Sequence, residues 1–521
     1  MANIIGTGSS NFLLGDRDPL LPNDVLNSGW LAGDDTMAGV NGDDTYNVNS
    51  IGDVVFEDDA PSSGVDTVVS QIFSYTLTDN VEKLVLQEQD RSGILNANGT
   101  VTLAFSLGAP TAVVGTGNAL DNTITGNSND NYLYGLDGAD TLLGNDGADW
   151  LFGGEGNDSM EGGDDDDSLW GDDGNDTMLG GDGEDTFFGN EGNDSMTGGA
   201  GDDTYWVDDV GDVVVEASAI VSVQPPGIDT VYASISETLD NNVENLTLTG
   251  IGNLNGTGNG SANLIKGNVG ANVLDGKAGA DTMEGSTGND TYYVDNAGDV
   301  VTENAASGTD LVYSTVTHTL RVNVEKLTLN GTAAINGTGN TLNNTINGNS
   351  ADNLLKGMNG NDTLIGKGGD DTVQGGNGAD RLYGSLGNDT LRAVDDVPGV
   401  DDGVEDRFYF STDPAAVDNW DKIEVATFNT ADGVDDELYL DDAFFVGLSV
   451  TGGTLDQYAE GVDVDGNNEN DGIGVYLDTS SGDLFYNPTD NVAGDSILFA
   501  SISNFITGGS ASLSASDFTL Y

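Results

Sequence analysis

The feature that most constrains this chain is a repeat of nine residues. Residues 117–206 divide without a gap into ten nonapeptides of the pattern G-G-x-G-x-D-x-U-x, in which U is a large apolar residue. Two shorter arrays, 258–293 and 339–392, share this register, and an irregular array spans roughly 30–47. A short fixed period indicates a solenoid, in which each repeat packs only on its neighbours.

Each position of the unit has a structural role. Glycine at positions 1, 2 and 4 allows the backbone to turn sharply, and positions 7 to 9 form a short strand. Two units make one turn of 18 residues, and successive turns are expected to stack about 4.8 Å apart. Position 8 then points inward and builds an apolar column: Leu142, Leu151, Met160, Leu169, Met178, Phe187, Met196 and Tyr205.

Aspartate at position 6 predicts two columns of carboxylates in the longest array. One contains Asp140, Asp158, Asp176 and Asp194, and the other contains Asp149, Asp167, Asp185 and Asp203. Like carboxylates about 5 Å apart repel by roughly 1 kcal/mol or more in wet surroundings, so we expect cations between them. The same position holds Asp35, Asp44, Asp281, Asp290, Asp362, Asp371, Asp380 and Asp389 elsewhere in the chain.

The donor set favours calcium over other metals. Ca²⁺ takes 6–8 oxygen ligands at 2.3–2.6 Å, which carboxylates and turn carbonyls supply, whereas Mg²⁺ needs a tighter octahedron and keeps its waters. Zn²⁺ prefers nitrogen or sulfur ligands, and the chain has one His and no Cys. We therefore predict multiple bound Ca²⁺ ions.

The repeat resembles the RTX family, whose nonapeptides bind calcium on a parallel β-roll. The resemblance covers nearly the whole chain and implies an all-β fold, an interrupted parallel β-roll (β-solenoid) with a C-terminal β-rich capping domain. The expected segments are an N-terminal part with irregular repeats and a connector (1–116), the main roll (117–206), a connector (207–257), the second array (258–293), a connector (294–338), the third array (339–392) and the cap (393–521).

The connectors form a second, longer repeat, with copies at 45–86, 204–248 and 291–329. They are rich in Val, Thr and Tyr with partial alternation, which predicts strands. The only histidine, His318, lies in the third copy, where the other copies have Tyr75 and Glu237. A position that accepts such different residues is expected to be structural, not catalytic.

The C-terminal stretch is similar to the domain that closes RTX arrays in secreted exoproteins, beginning at DRFYFSTDPAAVDNWDKIEV. The resemblance implies a cap, an uncleaved signal for type I export machinery in this segment, and an extracellular, cell-surface location. The start of the chain lacks the basic region and apolar core of a Sec signal peptide. No run of about 18 apolar residues is present, so no transmembrane segment is expected.

The charge balance excludes some partners. The chain has 89 Asp and Glu against 13 Lys and Arg, a formal net charge of −76. Nucleic acid and anionic lipid need a basic surface, so neither is an expected partner. Bulk acidity could also indicate a halophilic surface or a disordered tail, but neither requires an apolar residue at every ninth position. Without cations, the acidic arrays should repel themselves and remain unfolded.

Asparagine replaces aspartate at position 6 in the first two units of each long array. These residues are Asn122, Asn131, Asn263, Asn272, Asn344 and Asn353. Asn is neutral and can form ladders of amide hydrogen bonds. We expect these turns to stack without calcium and to act as preformed ends of the arrays.

Position 9 is expected to point outward, and residues 18 apart then share a face. One face carries an aromatic column, a candidate interface: Tyr134, Phe152, Trp170, Phe188 and Trp206. Such a column is unusual on a solvated surface. Either a connector of the same chain covers it, or it contacts another copy or a ligand.

These features favour a structural role. We expect a secreted, calcium-dependent protein that assembles into a surface layer, filament or extracellular matrix, since repeats begin near Met1 and leave no room for a catalytic domain. Ten of the 13 basic residues lie between Lys266 and Lys422, which favours head-to-tail self-association. The alternative is an adhesin or carbohydrate-binding exoprotein that binds a cell-surface polysaccharide.

An enzyme is the third hypothesis, because RTX tails often follow lipases, proteases or lyases. The chain has no GxSxG, HExxH or Gly-rich phosphate loop, which are the motifs that would indicate such activities. We therefore expect no catalytic activity.

Overall fold

The computed structural model describes residues 34–39, 42–57, 65–72, 74–78, 80–87, 113–216, 227–305, 308–393 and 404–410, together with short strands elsewhere. This described part consists of β-strands, turns and bends, with no helix. The chain divides into two compact units, residues 1–249 and 250–521. Each unit is a parallel β-solenoid, so the expected all-β fold is confirmed.

In the first unit, two long parallel sheets form opposite walls. One wall contains the strands Asn3–Ile5, Val25–Asn27, Thr45–Val48, Thr67–Ser70, Lys83–Leu86, Thr123–Thr125, Thr141–Asp146, Ser159–Asp164, Thr177–Asp182, Ser195–Ala200 and Val213–Val215. The other contains Ser74–Thr76, Val113–Thr116, Asn131–Asp137, Trp150–Glu155, Ser168–Asp173, Thr186–Glu191, Thr204–Val207, Thr230–Ala233 and Asn245–Leu248. Smaller elements are Phe12–Leu14, Thr36–Ala38, Val54–Phe56, Ile94–Leu95, Val101–Thr102 and Glu237–Thr238.

The second unit repeats this arrangement. One wall contains Asn255–Thr257, Val273–Asp275, Thr291–Val294, Leu311–Ser314, Lys326–Leu329, Thr345–Asn347, Thr363–Gly368, Arg381–Leu386, Arg407–Phe410, Glu437–Leu440 and Phe518–Leu520. The other contains His318–Thr319, Gly337–Thr338, Leu354–Asn359, Thr372–Asn377, Thr390–Arg392, Asp421–Glu424, Ile497–Ser503, Asp483–Asn487, Gly474–Asp478 and Tyr458–Gly461. Leu264–Lys266, Thr282–Glu284 and Val300–Thr302 pair with one another, as do Val450–Thr451 and Thr454–Leu455.

The register of the walls follows the 18-residue turn. Leu142 pairs with Met160, and Met160 pairs with Met178. The position-8 side chains of the longest array are at most 2% exposed, so they fill the space between the walls as predicted. Burial of each such side chain contributes about 1.5–3 kcal/mol, and this apolar column is the main cohesive element of the roll.

The connectors interrupt the nonapeptide sequence, but in each of them one parallel sheet continues. In the second connector, Thr204 pairs with Thr230, and Thr230 pairs with Asn245. Each connector therefore contributes further turns of the same solenoid, although these turns differ in length from the 18 residues of the arrays.

The C-terminal segment ends the repeating pattern. The strand Asp421–Glu424 pairs in parallel with Ile497–Ser503, which pairs antiparallel with Asp483–Asn487. Of the final stretch SLSASDFTLY, which the resemblance assigns to the export signal, only Phe518–Leu520 lies within the described residues.

Candidate metal centres

The position-6 aspartates lie at the turn that precedes each strand, and the turn fixes their orientation. In the unit that contains Asp158, Gly156 has φ +146°, a left-handed conformation that favours glycine. A Cβ on Gly156 would collide with the carbonyl oxygen of Gly138 in the turn before. Close stacking of glycine turns therefore brings the carboxylates of successive turns into line.

The two predicted columns are present, and along each a backbone N–H of one turn donates to the carboxylate of the next. The backbone N–H of Asp140 donates to Oδ1 of Asp158 at 2.7 Å, and the N–H of Asp158 donates to Oδ1 of Asp176 at 2.8 Å. The N–H of Asp149 donates to Oδ1 of Asp167 in the same way, at 2.8 Å. Each aspartate therefore positions its neighbour one turn away.

The other predicted ligands occupy equivalent places. Near the start of the chain, the backbone N–H of Asp35 donates to Asp53 and that of Asp44 donates to Asp66. In the second array, Asp281 donates to Asp299 and Asp290 donates to Asp310. In the third array the pairs are Asp362 to Asp380, Asp371 to Asp389, Asp380 to Asp406 and Asp389 to Asp421. In the longest array, the backbone N–H groups of four further aspartates donate in the same way to the acid of the next turn: Asp176, Asp185, Asp194 and Asp203. All sixteen predicted residues therefore lie in such columns.

The second carboxylate oxygen is the chemically informative atom. Oδ2 of Asp140, Asp149, Asp158, Asp167, Asp176, Asp185, Asp194, Asp203, Asp281, Asp290, Asp371 and Asp389 is buried and has no hydrogen-bond donor among the described residues. A buried carboxylate oxygen without a partner costs at least about 1–3 kcal/mol. The repetition of such oxygens along the columns indicates a set of ligands for cations.

A backbone oxygen lies beside several of these carboxylates. A Cβ built on Gly135 would collide with Oδ2 of Asp140 and would lie 2.5 Å from the carbonyl oxygen of Gly153. The same relation holds for Gly144, Asp149 and Gly162. The missing side chain at position 1 therefore leaves a cradle of carboxylate and carbonyl oxygens, which are the ligands that Ca²⁺ takes.

Burial raises the pKa values of the column carboxyls of the longest array, because desolvation disfavours the charged form. Neighbouring aspartates raise them further, and the backbone hydrogen bond opposes the shift. The pKa is raised to about 8 for Asp149, Asp167 and Asp203, and to about 7 for Asp140, Asp176 and Asp185. Near neutral pH, the columns therefore hold protons or a cation in their place.

The asparagines at position 6 contrast with these aspartates. Nδ2 of Asn353 donates to the carbonyl oxygen of Ile335 at 2.6 Å, and its Oδ1 accepts from the N–H of Asn349 at 2.8 Å. Asn344 and Asn272 likewise donate to backbone carbonyls of the preceding turns. Asn353 and Asn272 also donate to the asparagine side chain four residues earlier, Asn349 and Asn268. These hydrogen bonds therefore run to the backbone and within the unit, and not to the position-6 amide of the next turn. Their polar atoms nevertheless have protein partners.

Sequence reasoning missed the acids by which the connectors extend the columns. Asp229 accepts from the N–H of Asp203 at 2.8 Å, and Asp212 accepts from the N–H of Asp194 at 3.1 Å. The available signal was the Asp shared by the three connector copies in GDVV and in GxD. It was missed because the separation in sequence is 26 residues for the Asp203 pair, not 18.

The aromatic column is continuous and its rings stack face to face. Phe152 and Trp170 have centroids 4.5 Å apart with planes 11° apart, and Trp170 and Phe188 are 5.1 Å and 4° apart. Tyr134 begins the stack, and Trp206 extends it to Tyr232. The ring faces therefore cover one another, and the ring edges face outward.

His318 lies in the short strand His318–Thr319, and burial lowers its pKa. The described residues contain no helix of the length and apolarity that a membrane crossing requires.

The comparisons with known proteins agree with the geometry. The family model of the RTX calcium-binding nonapeptide repeat (four copies) matches residues 116–151, 143–178, 179–214, 257–292, 338–373 and 357–391. These ranges include the three long arrays and their two carboxylate columns. A search of curated proteins found no match to this chain.

Proposed function

From the premise that this chain is an RTX repeat protein, we propose that it is a secreted structural protein that folds on calcium and assembles outside the cell into a surface layer, filament or matrix. The observation that carries the proposal is the double column of buried carboxylates whose Oδ2 atoms lack donors among the described residues. RTX repeat proteins are typically secreted, which agrees with a fold that depends on extracellular calcium.

The carboxylate columns provide the folding switch. Where calcium is scarce, as inside a cell, the acids repel one another and the chain remains extended, which suits passage through a narrow export channel. Where calcium is abundant, the ions occupy the cradles between turns. Because the unfolded chain has no preformed site, the free energy of binding becomes free energy of folding.

Two connector strands support assembly. Among the described residues, Val54–Phe56 and Val213–Val215 each end a parallel sheet. Their outward side chains are exposed, at 57% for Phe56, 47% for Val213 and 43% for Val215. An edge strand with unpaired backbone groups and apolar side chains can pair with another chain. The concentration of basic residues between Lys266 and Lys422 would complement the acidic arrays of a second copy.

Electron microscopy of the purified protein tests assembly. With millimolar calcium we expect a lattice or fibres, and with a chelator we expect none. The double variant Val213→Lys/Val215→Lys should abolish assembly without loss of β structure, whereas Val210→Lys, at a 90% exposed position, should assemble normally. Monodisperse particles of the unmodified protein in calcium would overturn the proposal.

The alternative, an adhesin that binds carbohydrate on the aromatic column, is less well supported. Sugar rings stack on open aromatic faces, but the faces of Phe152, Trp170, Phe188 and Trp206 are each covered by the neighbouring rings. We also propose no catalytic role for the chain.

A further inference from the structure

Each array meets its connector at a cluster of three acidic residues, which we call the junction cluster. The clusters are Asp44, Glu57 and Asp66; Asp203, Glu216 and Asp229; and Asp290, Glu303 and Asp310. In each, the first Asp is position 6 of the last nonapeptide, the Glu ends the GDVVxE segment, and the second Asp belongs to a GxD sequence. The same three elements therefore meet three times in the chain.

The junction cluster is compact. One carboxylate oxygen of Asp203, one of Glu216 and one of Asp229 all lie within 4.8 Å of one another. Asp203 and Asp229 are 1% and 2% exposed. Two oxygens that each lie about 2.4 Å from a shared Ca²⁺ can be at most about 4.8 Å apart, so the spread fits a single ion.

An unpartnered oxygen points into this cluster. Oδ2 of Asp203 is buried and accepts no hydrogen bond from any described residue. A Cβ built on Gly198 would collide with this atom and with the hydroxyl of Tyr205, and would lie 2.5 Å from Oε1 of Glu216. The side chains of Asp203, Tyr205 and Glu216 therefore converge on the space that the absent side chain of Gly198 leaves.

The remaining contacts orient the cluster without neutralising it. The hydroxyl of Tyr205 donates to Oε1 of Glu216, and the hydroxyl of Tyr292 donates to Oε1 of Glu303 at the third junction. The backbone N–H of Asp203 donates to Oδ1 of Asp229 at 2.8 Å. Each cluster holds three carboxylates with oxygens within 4.8 Å of one another, and this density of like charge favours a cation or shared protons between them.

We propose that each junction cluster is a Ca²⁺ site of a second kind, in which a connector Glu joins the aspartates of the column. The array sites use aspartates and backbone carbonyls from nonapeptides, whereas this site joins residues 13 and 26 positions apart in the chain, Asp203 to Glu216 and Asp229. The ion locks the last nonapeptide turn to the connector and so ends each array. The inference rests on the proposed calcium-dependent folding only for the identity of the ion.

The first test measures bound calcium in the full chain. We expect the triple variant Glu57→Gln/Glu216→Gln/Glu303→Gln to bind three fewer Ca²⁺ ions per chain, one for each cluster, by equilibrium dialysis with metal analysis. Glu161→Gln, an exposed glutamate of the longest array, should leave the number unchanged. An unchanged number in the triple variant would show that the clusters share protons only, and would overturn the inference.

The second test does not require the variants to fold. Anomalous diffraction from crystals of the unmodified protein in calcium should show a peak within 2.3–2.6 Å of Glu216 and Asp203 oxygens. Peaks in the arrays without a peak at the junctions would overturn this inference and leave the proposed function intact. Full β structure without calcium would instead overturn the proposed function, and a junction peak would then still support the second kind of site.

Discussion

The backbone N–H of Asp158 donates to Oδ1 of Asp176 at 2.8 Å, while Oδ2 of Asp176 has no donor in the part of the chain that the structure describes. One oxygen of each carboxylate is thus committed to the neighbouring turn, and the other is left for a cation. Stacking of the turns and assembly of the metal sites are therefore the same event, which is the physical basis of a calcium-dependent fold.

Asp176→Asn should separate these two roles. The amide keeps the Oδ1 acceptor, and its Nδ2 can donate to the nearby carbonyl oxygen of Gly189. We expect weaker calcium binding, together with a metal-free chain more stable by about 1–3 kcal/mol, since a buried unpartnered oxygen is removed. Calcium titration checks the first effect, and the folded fraction of the chelated chain by circular dichroism checks the second. Asp173→Asn, at an exposed position of the same turn, is the matched control and should change neither.

The converse substitution, Asn353→Asp, should destabilise the third array. It would replace the 2.6 Å hydrogen bond from Nδ2 to the carbonyl oxygen of Ile335 by contact between two oxygens. We expect a loss of about 1–3 kcal/mol, which raises the calcium concentration at the midpoint of folding as measured by circular dichroism. Asn343→Asp retains its acceptor for the N–H of Asn361 and is exposed, so it should have little effect. Equal losses in both variants would contradict the proposed role of Asn353.

The pKa shifts predict the pH dependence of the metal-free chain. Burial raises the pKa of Asp149 and Asp371 to about 8, above the 3.8 of an unfolded aspartate. The folded state then binds more protons than the unfolded state between these values, so stability falls as pH rises from about 4 to about 8. Circular dichroism in metal-free buffers should show a larger folded fraction at pH 5 than at pH 8, where the columns are charged. Greater stability at pH 8 would show that the columns are not buried as described.

Trp170→Ser tests whether the aromatic column is an internal brace. The ring stacks on Phe152 and Phe188, and two such pairs contribute about 1–3 kcal/mol beyond area burial. We expect a lower melting temperature in calcium with assembly intact. Leu179→Ser, on the opposite face and 39% exposed, should lower the melting temperature less. Lost assembly at an unchanged melting temperature would instead identify the column as an interface.

The columns could be predicted from the sequence because a strict period fixes the register of a solenoid. Asp140 and Asp158 are 18 residues apart, and identical spacing forces identical orientation. The family model and the fold both confirm the RTX interpretation. The assembly and the export route stay predictions.

The rest of the candidate site could not be read from periodicity. The backbone N–H of Asp203 donates to Asp229, which is 26 residues away because the connector forms a longer loop before its next strand pairs with the sheet. Glu216 reaches the same cluster from outside any nonapeptide, and its separation of 13 residues from Asp203, which recurs in the other two clusters, is not a multiple of the nine-residue period. Nor does spacing indicate that Asn353 donates to the carbonyl oxygen of Ile335 and to Oδ1 of Asn349. Contacts of this kind depend on where loops return, which only the three-dimensional structure defines.

The central claim is that the carboxylate columns cannot form the roll until a cation fills them. Far-ultraviolet circular dichroism of the full chain, first with a chelator and then with millimolar calcium, tests it most directly. We expect a largely unfolded spectrum with the chelator and a β-sheet spectrum after calcium is added, with reversal on renewed chelation. A full β-sheet spectrum in the chelator at neutral pH would contradict the account.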